Sequence, residues 1–505
     1  MKFKTLFLAG LTVATLFSCS DSNDIVDRTA NEKAYFALKI AFPQTTTTKA
    51  TTSTETGDGY QDGLATEQQF QSAAVILVNA ANTVTDYVVY SKTDFAPEGD
   101  AAVDNNTVNP TSTSKNYLTK AAKLVTKGLA KVYVFLNPTG DVASKFAVGQ
   151  SFSSTDAIKA EMTALSSSDI TGTGSIANSG NFLMGNATDA TPQTIEGTVK
   201  NPTTVTVNVE RAAVKLVENT ATATFNVTNN LGATSVTATI EKYDYNNLNK
   251  RSYLLKNTES RSDAGSIAGS YVVDPNFLET EYKTTVLPLS PWFEDDFFTV
   301  DNQTVGKTFS TSPKITYCLE NTMISNEQYE NKTTSIVYQA KISVNGNASA
   351  TFYTYKNVIY TSYAALATAY NTDYPNAAQQ LNTVFAEPDV VTAYTGSNYT
   401  ANVKNLNTKL INKGIRCFYN GTCYYNWMIK HWSQDVNLGR MEFGVVRNNV
   451  YYLAVTNILN IGEPWVPGGK EDPDPTPNPD EVDKASLVVS INVLPWTVRY
   501  NNIEF

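Results

Sequence analysis

Ala485-Ser486-Leu487-Val488-Val489-Ser490-Ile491-Asn492-Val493-Leu494, followed by Pro495-Trp496, is the stretch on which the reading of this 505-residue chain turns. Every odd position from Ala485 to Val493 is apolar, and Ser486, Ser490 and Asn492 punctuate the even ones. A period of two is the pattern of a half-buried β-strand, because successive side chains point to opposite faces. Leu487, Val489, Ile491 and Val493 therefore need a core to cover them.

The same pattern stands near the other end of the chain, at Ala34-Tyr35-Phe36-Ala37-Leu38-Lys39-Ile40-Ala41-Phe42. Ala34, Phe36, Leu38, Ile40 and Phe42 form its apolar face, and Pro43 stops it much as Pro495 stops the other. Two strands of one pattern can fill one groove. A Thr-rich segment, Thr45 to Thr56, follows the first copy, and an extended Pro-Asp segment, Glu471 to Asp483, precedes the second. This layout fits removal of the first strand by a protease and its replacement by the C-terminal strand of a neighbouring molecule, which is β-strand addition to an opened sheet. Lys49 is the only basic residue between Lys39 and Lys92, which places the cut between Lys49 and Ala50. Cutting instead after Arg28 would leave the first strand attached. Leu487, Val489, Ile491 and Val493, with Trp496 beyond them, make up the expected donor segment.

The first residues read as an export signal: Lys2 and Lys4, an apolar run from Leu6 to Phe17, then Leu16-Phe17-Ser18-Cys19. That tetrapeptide is similar to a bacterial lipobox, so Cys19 is the expected lipidated residue, and the protein is expected in the outer membrane and then at the cell surface. The apolar run is too short to span a membrane. Formal net charge is −10, and removing residues 1–49 takes away more basic than acidic residues. A chain this acidic is a poor partner for nucleic acid or anionic membrane, both of which need basic patches. Charged residues make up only 17%, leaving Thr, Asn and Ser to supply the polar surface, as suits an extracellular β-rich protein.

Along the chain, Asp62 to Glu67 reads as a turn leading into the apolar strand Ala73 to Val78. Tyr87 to Tyr90, Lys131 to Leu136 and Thr204 to Val209 read as further strands, and Asp156 to Leu165 as a helix. Later, Ser235 to Ile240 and Val337 to Val344 alternate as strands, while Tyr360 to Tyr370 and Asn405 to Lys413 have helical spacing. Met441 to Val455 reads as a hairpin about Asn448-Asn449. Many short strands broken by turn signals indicate β-sandwiches. The expected divisions are a signal peptide (1–18), a propeptide with the removable strand (19–49), two β-sandwich domains (50–215 and 216–470), a linker (471–484) and the donor segment (485–505).

At these residues the chain resembles the Bacteroidales fimbrillins, or type V pilins, and most closely the major subunit of the short fimbriae. The resemblance rests on Asp62 to Glu67 with the strand after it, Glu210-Arg211-Ala212-Ala213, Gly439 to Tyr452 with Ile461-Gly462-Glu463-Pro464, the Pro-Asp linker and Leu494-Pro495-Trp496-Thr497-Val498. It implies two transthyretin-like β-sandwich domains in a mainly β chain with a few short helices. It further implies lipoprotein export, proteolytic removal of the first strand, and polymerisation through the C-terminal donor into a fimbria that supports adhesion and biofilm formation. The partners implied are copies of the chain itself, anchor and tip pilins, an extracellular trypsin-like protease and receptors on host or bacterial surfaces. Shaft subunits of the family are typically cut after arginine, whereas Lys49 stands at that place here.

No catalytic, cofactor or metal site is expected. His431 is the single histidine, so any Ser-His-Asp or Cys-His mechanism would depend on it, and it reads as a packing residue. Gly306-Lys307-Thr308 ends like a phosphate loop, but Asp301 stands where the motif needs its first glycine. Asp472, Asp474 and Asp480 lie among prolines without a glycine-turned loop, which does not suit calcium. Cys417 and Cys423 flank Tyr419-Asn420-Gly421, and a three-residue hairpin there would set them opposite each other within disulfide reach. Three free thiols, Cys318 included, are the equal alternative. The competing function is a surface glycan-binding lipoprotein using Trp292, Trp427, Trp432 or Trp465. An exported hydrolase comes third.

Overall fold

The computed structural model describes residues 32–42, 64, 67, 69–98, 115–138, 146–152, 176–178, 181–249, 252–261, 269–275, 297–298, 306–323, 328, 332–348, 350–381, 386–431, 442–473 and 487–495. The chain is mainly β. Its first sheet has ten strands: β1 (Lys33–Phe42), β2 (Ser72–Asn79), β3 (Val84–Ser91), β4 (Phe95–Glu98), β5 (Lys115–Thr119), β6 (Lys123–Thr126), β7 (Gly128–Leu136), β8 (Met184–Asn186), β9 (Gln193–Ile195) and β10 (Thr203–Arg211). They run in the order β3-β2-β7-β8-β10-β1-β5-β4, with β6 also paired to β1 and β9 to β7. The apolar run of β2, Ala73 to Val78, is wholly buried, as expected of a strand covered on both faces. Its side chains join Phe36, Leu38, Ile40, Tyr133, Phe135, Val205 and Val207 in one core.

Ala212-Ala213 carries the chain from β10 into a second sheet of four strands. These are β11 (Val214–Glu218), β14 (Lys314–Cys318), β20 (Asn449–Ile458) and β21 (Leu487–Pro495), in the order β14-β11-β20-β21. A third sheet faces it, built from β12 (Thr224–Asn226), β13 (Val236–Asn246), β15 (Ser335–Val344) and β19 (Thr422–Met428) with two short strands. The second core fills the space between these sheets, with Leu216, Tyr451 and Leu453 from one side and Ala238, Ile240, Ile336 and Tyr338 from the other. That is a β-sandwich. Strand β11 serves both cores. Val214 and Leu216 point into the second core, while Val217, on the opposite face, joins the first.

A smaller body lies between β15 and β19. It pairs β16 (Phe352–Tyr355), β17 (Val358–Tyr360) and β18 (Ile415–Phe418) and packs α1 (Tyr363–Asp373), α2 (Glu387–Thr395) and α3 (Tyr399–Ile411) around its own core of Tyr353, Leu366, Tyr370, Val390, Leu406 and Leu410. The sequence places helices near α1 and α3 but gives no sign of α2. Ser362 caps α1, its Oγ accepting from the Ala365 amide at 3.3 Å. Asp156 to Leu165 lies outside the described residues.

The expected hairpin over Met441 to Val455 does not form. Only its second half is a strand, β20. The first half makes isolated bridges, Phe443 with Lys430 and Val445 with Asn321. The reason is Arg447 between the halves, whose guanidinium is buried against Glu320 at 2.5 and 2.7 Å and against Ser252 and the Tyr253 carbonyl. Reaching that site draws the segment away from β20.

Candidate functional site

Strand β1 is gripped on both edges. Phe36 to Ala41 pair in parallel with β10, in the register Leu38 opposite Val205 and Ile40 opposite Val207. On the other edge Lys39 to Phe42 pair antiparallel with β5, and Lys33 to Phe36 with β6. Phe36, Leu38 and Ile40 are fully buried, Ala34 nearly so, and half-buried Phe42 meets the Tyr117 ring edge-on at 6.0 Å. Polar contacts fix the register: the Leu38 amide donates to Thr119 Oγ1 at 3.1 Å, the Tyr35 amide to the Gly197 carbonyl at 2.8 Å, and Lys33 Nζ to Asp86 at 3.2 Å. Gly197 must be glycine for this approach, since a Cβ there would lie 2.5 Å from the Tyr35 carbonyl oxygen.

Among the described residues, strand β21 is held on one edge only. It runs antiparallel to β20 at the border of the four-stranded sheet. The register sets Val489, Ile491 and Val493 opposite Val455, Leu453 and Tyr451, which face the second core, and Asn492 opposite Tyr452. Leu487 pairs with Ile458 beyond a bulge. The expected donor strand thus lies on the chain's own second sheet in this structure. The unpaired N–H and C=O groups of β20 offer an edge, and the chain's own last strand takes it. Glu471 and Asp472, at the start of the expected linker, are buried, and Asp472 accepts from the Gly468 amide at 2.8 Å.

Cys417 and Cys423 are not brought together. Cys417 on β18 lies opposite Tyr353, and Cys423 on β19 lies opposite Ala340. Tyr419 to Gly421 do turn the chain, with Asn420 at φ 49° and Gly421 at φ 67°, but the turn hands it from one sheet to another instead of closing a hairpin. The disulfide reading is therefore corrected: both thiols are free and buried, as is Cys318. Burial pushes the Cys423 thiol up to about 12.

The other named residues divide plainly. Cys19, Lys49, Ala50 and Trp496 lie outside the described residues, as do Trp292 and Trp432. Trp465 is buried, at 5% exposed, and offers no open face to a sugar, while Trp427 is half-buried against the second core. His431 is buried, with Nδ1 hydrogen-bonded to the Tyr451 hydroxyl at 2.7 Å. Lys307 sits on a short strand beside β13 and pairs with Asp244 at 2.9 Å. Among the described residues no group of three or more His, Cys, Asp or Glu could hold a metal, and no helix is long and apolar enough to cross a membrane.

Sequence reasoning missed a buried polar seam between the first sheet and the second. Glu67, fully buried, accepts from Lys215 Nζ at 2.8 Å, from the Tyr317 hydroxyl at 2.5 Å and from the Leu64 amide at 2.7 Å. Arg211 Nε donates to the Glu67 carbonyl at 2.9 Å, and the Arg211 amide to Asn448 Oδ1 at 3.3 Å. Beside it Lys256 pairs with Glu210 at 2.8 Å. Burial lowers the pKa of Lys215 against the pull of Glu67, and raises that of Glu210. Three short motifs distant in sequence, ending at Glu67, running through Arg211 and reaching Asn448, thus meet at one place. The available signal was a set of charged residues flanked by apolar ones, as in Val445-Val446-Arg447.

Residues 416–502, which run from β18 through β21, match the family model described as major fimbrial subunit protein type IV, fimbrillin, C-terminal. The chain is fimbrillin-like over this stretch. No protein of curated function matches the sequence. Among solved structures it is similar to a putative cell adhesion protein from Parabacteroides distasonis ATCC 8503, at 13% identity and a TM-score of 0.42 over 93% of this chain and 99% of that one. It is similar to the fimbrilin FimA of Porphyromonas gingivalis W83, at 14% identity and a TM-score of 0.40 over 93% and 99%. A third is the tip fimbrial protein Mfa3 of Porphyromonas gingivalis, at 10% identity and a TM-score of 0.39 over 92% and 100%.

Proposed function

We infer that the chain is a structural subunit of a cell-surface fimbria that polymerises by exchange of terminal strands. In this reading it is exported as a lipoprotein through Cys19, a trypsin-like protease cuts after Lys49, and β1 leaves. The β21 strand of another copy then fills the opened groove, and anchor and tip pilins complete the fimbria, which mediates adhesion. The fimbrillin match over residues 416–502 supports the pilin class.

The observation that carries the exchange is the unequal hold on the two strands. Strand β1 is internal, paired on both edges and buried, so its loss leaves two facing edges and an empty apolar trough between β10 and β5. Strand β21 is a border strand with a single neighbour among the described residues. At about 3.3 Å per residue the ten residues of β1 and the nine of β21 both span about 30 Å. Both offer apolar residues at every second position. Burying Leu487, Val489, Ile491 and Val493 at about 1.5–3 kcal/mol each contributes about 6–12 kcal/mol, against an association cost of about 4–15 kcal/mol. Pairing on two edges in place of one favours the exchanged state.

Ile491→Asp and Asn492→Asp separate the two faces of the donor. Ile491 lies opposite buried Leu453 and Asn492 opposite half-buried Tyr452. A carboxylate on the apolar side must be desolvated at a cost of several kcal/mol or keep the strand out. Ile491→Asp should give folded monomers that accept a wild-type tail but cannot donate, and Asn492→Asp should polymerise nearly normally. Equal polymerisation of the two, read as heat-resistant ladders on gels, would overturn the reading.

A further inference from the structure

A cleft of about 620 Å³ opens where the small α/β body meets the second sandwich. Its walls come from the β16–β17 turn, the α3–β18 turn, the residue after α1, and the segments around Asn229 and Asn460. The volume falls in the range of small-molecule sites. Backbone strain marks the same place. Among the described residues, every non-glycine residue with positive φ is an asparagine except Leu231 (φ 48°) and Lys356 (φ 47°), and both line this cleft. A left-handed Leu or Lys carries a steric cost that Asn or Gly largely escapes, and such strain is found at ligand sites.

The chemistry of the walls selects a ligand. Tyr374 is 39% exposed, with its ring stacked on Tyr370 at 4.6 Å, so it stands as a braced aromatic surface at the mouth. Exposed Asn357 and Asn412 line the cleft beside it. An amide both donates and accepts, as a sugar hydroxyl does. Of the three lining cations, Lys356 is taken by Asp373 at 2.9 Å and Arg416 by Glu463 at 2.9 Å. Lys413 donates to the Tyr370 hydroxyl at 3.3 Å and lies 5.3 Å from the centre of that ring, with no carboxylate paired to it among the described residues. An ammonium so placed can accept one carboxylate from outside.

We propose that this cleft binds a short acidic saccharide, with Tyr374 under a sugar ring, Asn357 and Asn412 on its hydroxyls, and Lys413 on its carboxylate. The site is independent of the strand exchange, since neither terminal strand lines it, and it uses tyrosine where the sequence suggests tryptophan. The test is calorimetric titration of the full-length protein with 3′-sialyllactose, lactose and hexaglutamate. Sialyllactose should bind at least about tenfold more tightly than lactose. Lys413→Gln should bring it to the level of lactose while leaving lactose unchanged, and Tyr374→Ala should weaken both sugars about tenfold or more at an unchanged melting temperature. Three results would overturn the assignment: no sugar binding at millimolar concentration, equal binding of the two sugars, or hexaglutamate binding as tightly as sialyllactose, which would make the cleft a peptide groove.

Discussion

If β1 is discarded on assembly, a defect in β1 should weaken the precursor and be absent from the polymer. Leu38 is the place to test this. Its side chain is fully buried in the first core, and its backbone is fixed by Val205 on one edge and by the Thr119 hydroxyl on the other. Deleting buried methyl groups from Leu to Ala costs about 2–5 kcal/mol, and more where the walls cannot close in. A strand paired on both edges cannot shift, so Leu38→Ala should fall in the upper half, about 3–5 kcal/mol. At about 2–4 °C per kcal/mol for a cooperative unit of this size, the precursor should melt about 6–20 °C lower. Val207→Ala is the control. It lies opposite Ile40 on β10, borders the same groove and stays in the subunit, so it should weaken precursor and polymer alike. The assay is scanning calorimetry of each precursor, then heat dissociation of fibres grown from subunits processed in solution. Where Leu38→Ala accumulates too poorly to measure, Leu38→Met, at less than about 1.5 kcal/mol, gives a smaller shift of the same sign. Fibres from Leu38→Ala that dissociate at a lower temperature than wild type, or that contain the β1 peptide by mass spectrometry, would refute strand removal.

Glu218 gives a pH-dependent test. Burial holds its carboxyl above the ordinary range, with Thr220 and Tyr338 donating to Oε1 while Oε2 has no hydrogen-bond partner among the described residues. The folded state then binds the proton more tightly than the unfolded chain, so native stability is fully present below the ordinary Glu pKa and falls as pH rises through the elevated one. Glu218→Gln, which mimics the neutral acid, should resist urea better than wild type at about pH 8 and match it near pH 4; equal urea midpoints at both would refute the shift. For the cysteines, native protein should leave Cys417 and Cys423 unreacted with alkylating agent until it unfolds and then label both, and a peptide map showing them bonded would overturn the topology about Tyr419 to Gly421.

What the sequence makes legible is local. Strands β1, β2, β7, β10, β13 and β15 announce themselves by alternation or by short apolar runs, and the helical spacing of Tyr360 to Tyr370 announces α1. Tyr419-Asn420-Gly421 announces its turn as well, with Asn420 and Gly421 in the left-handed conformations those residues tolerate. Which strands the arms of that turn join is not local. Tyr353 and Ala340 decide it, and no nearby spacing encodes them. Helix α2 is hidden for a related reason: Glu387-Pro388-Asp389 reads as a breaker, yet proline fits the first turn of a helix, where its missing N–H costs nothing. The cleft is hidden more thoroughly, since its walls come from segments more than 200 residues apart.

The seam at Glu67 explains how one strand could leave while the next stays. Among the described residues between β1 and β2, Glu67 is gripped by Lys215 and Tyr317 of the second sheet and, through its carbonyl, by Arg211. A cut at Lys49 falls on the β1 side of that anchor. After such a cut, β2 in the middle of the first core would keep its tie through Glu67 to β11 and β14. Removing one partner of a buried pair such as Glu67–Lys215 costs about 3–5 kcal/mol, so the anchor is of the same order as the core contacts that β1 gives up. Arg211 and Asn448 tie the crossing between the sheets to the start of β20, the strand on which β21 rests. In the proposed exchange, the groove that β1 would vacate and the edge from which β21 would depart are thus both tied to this seam.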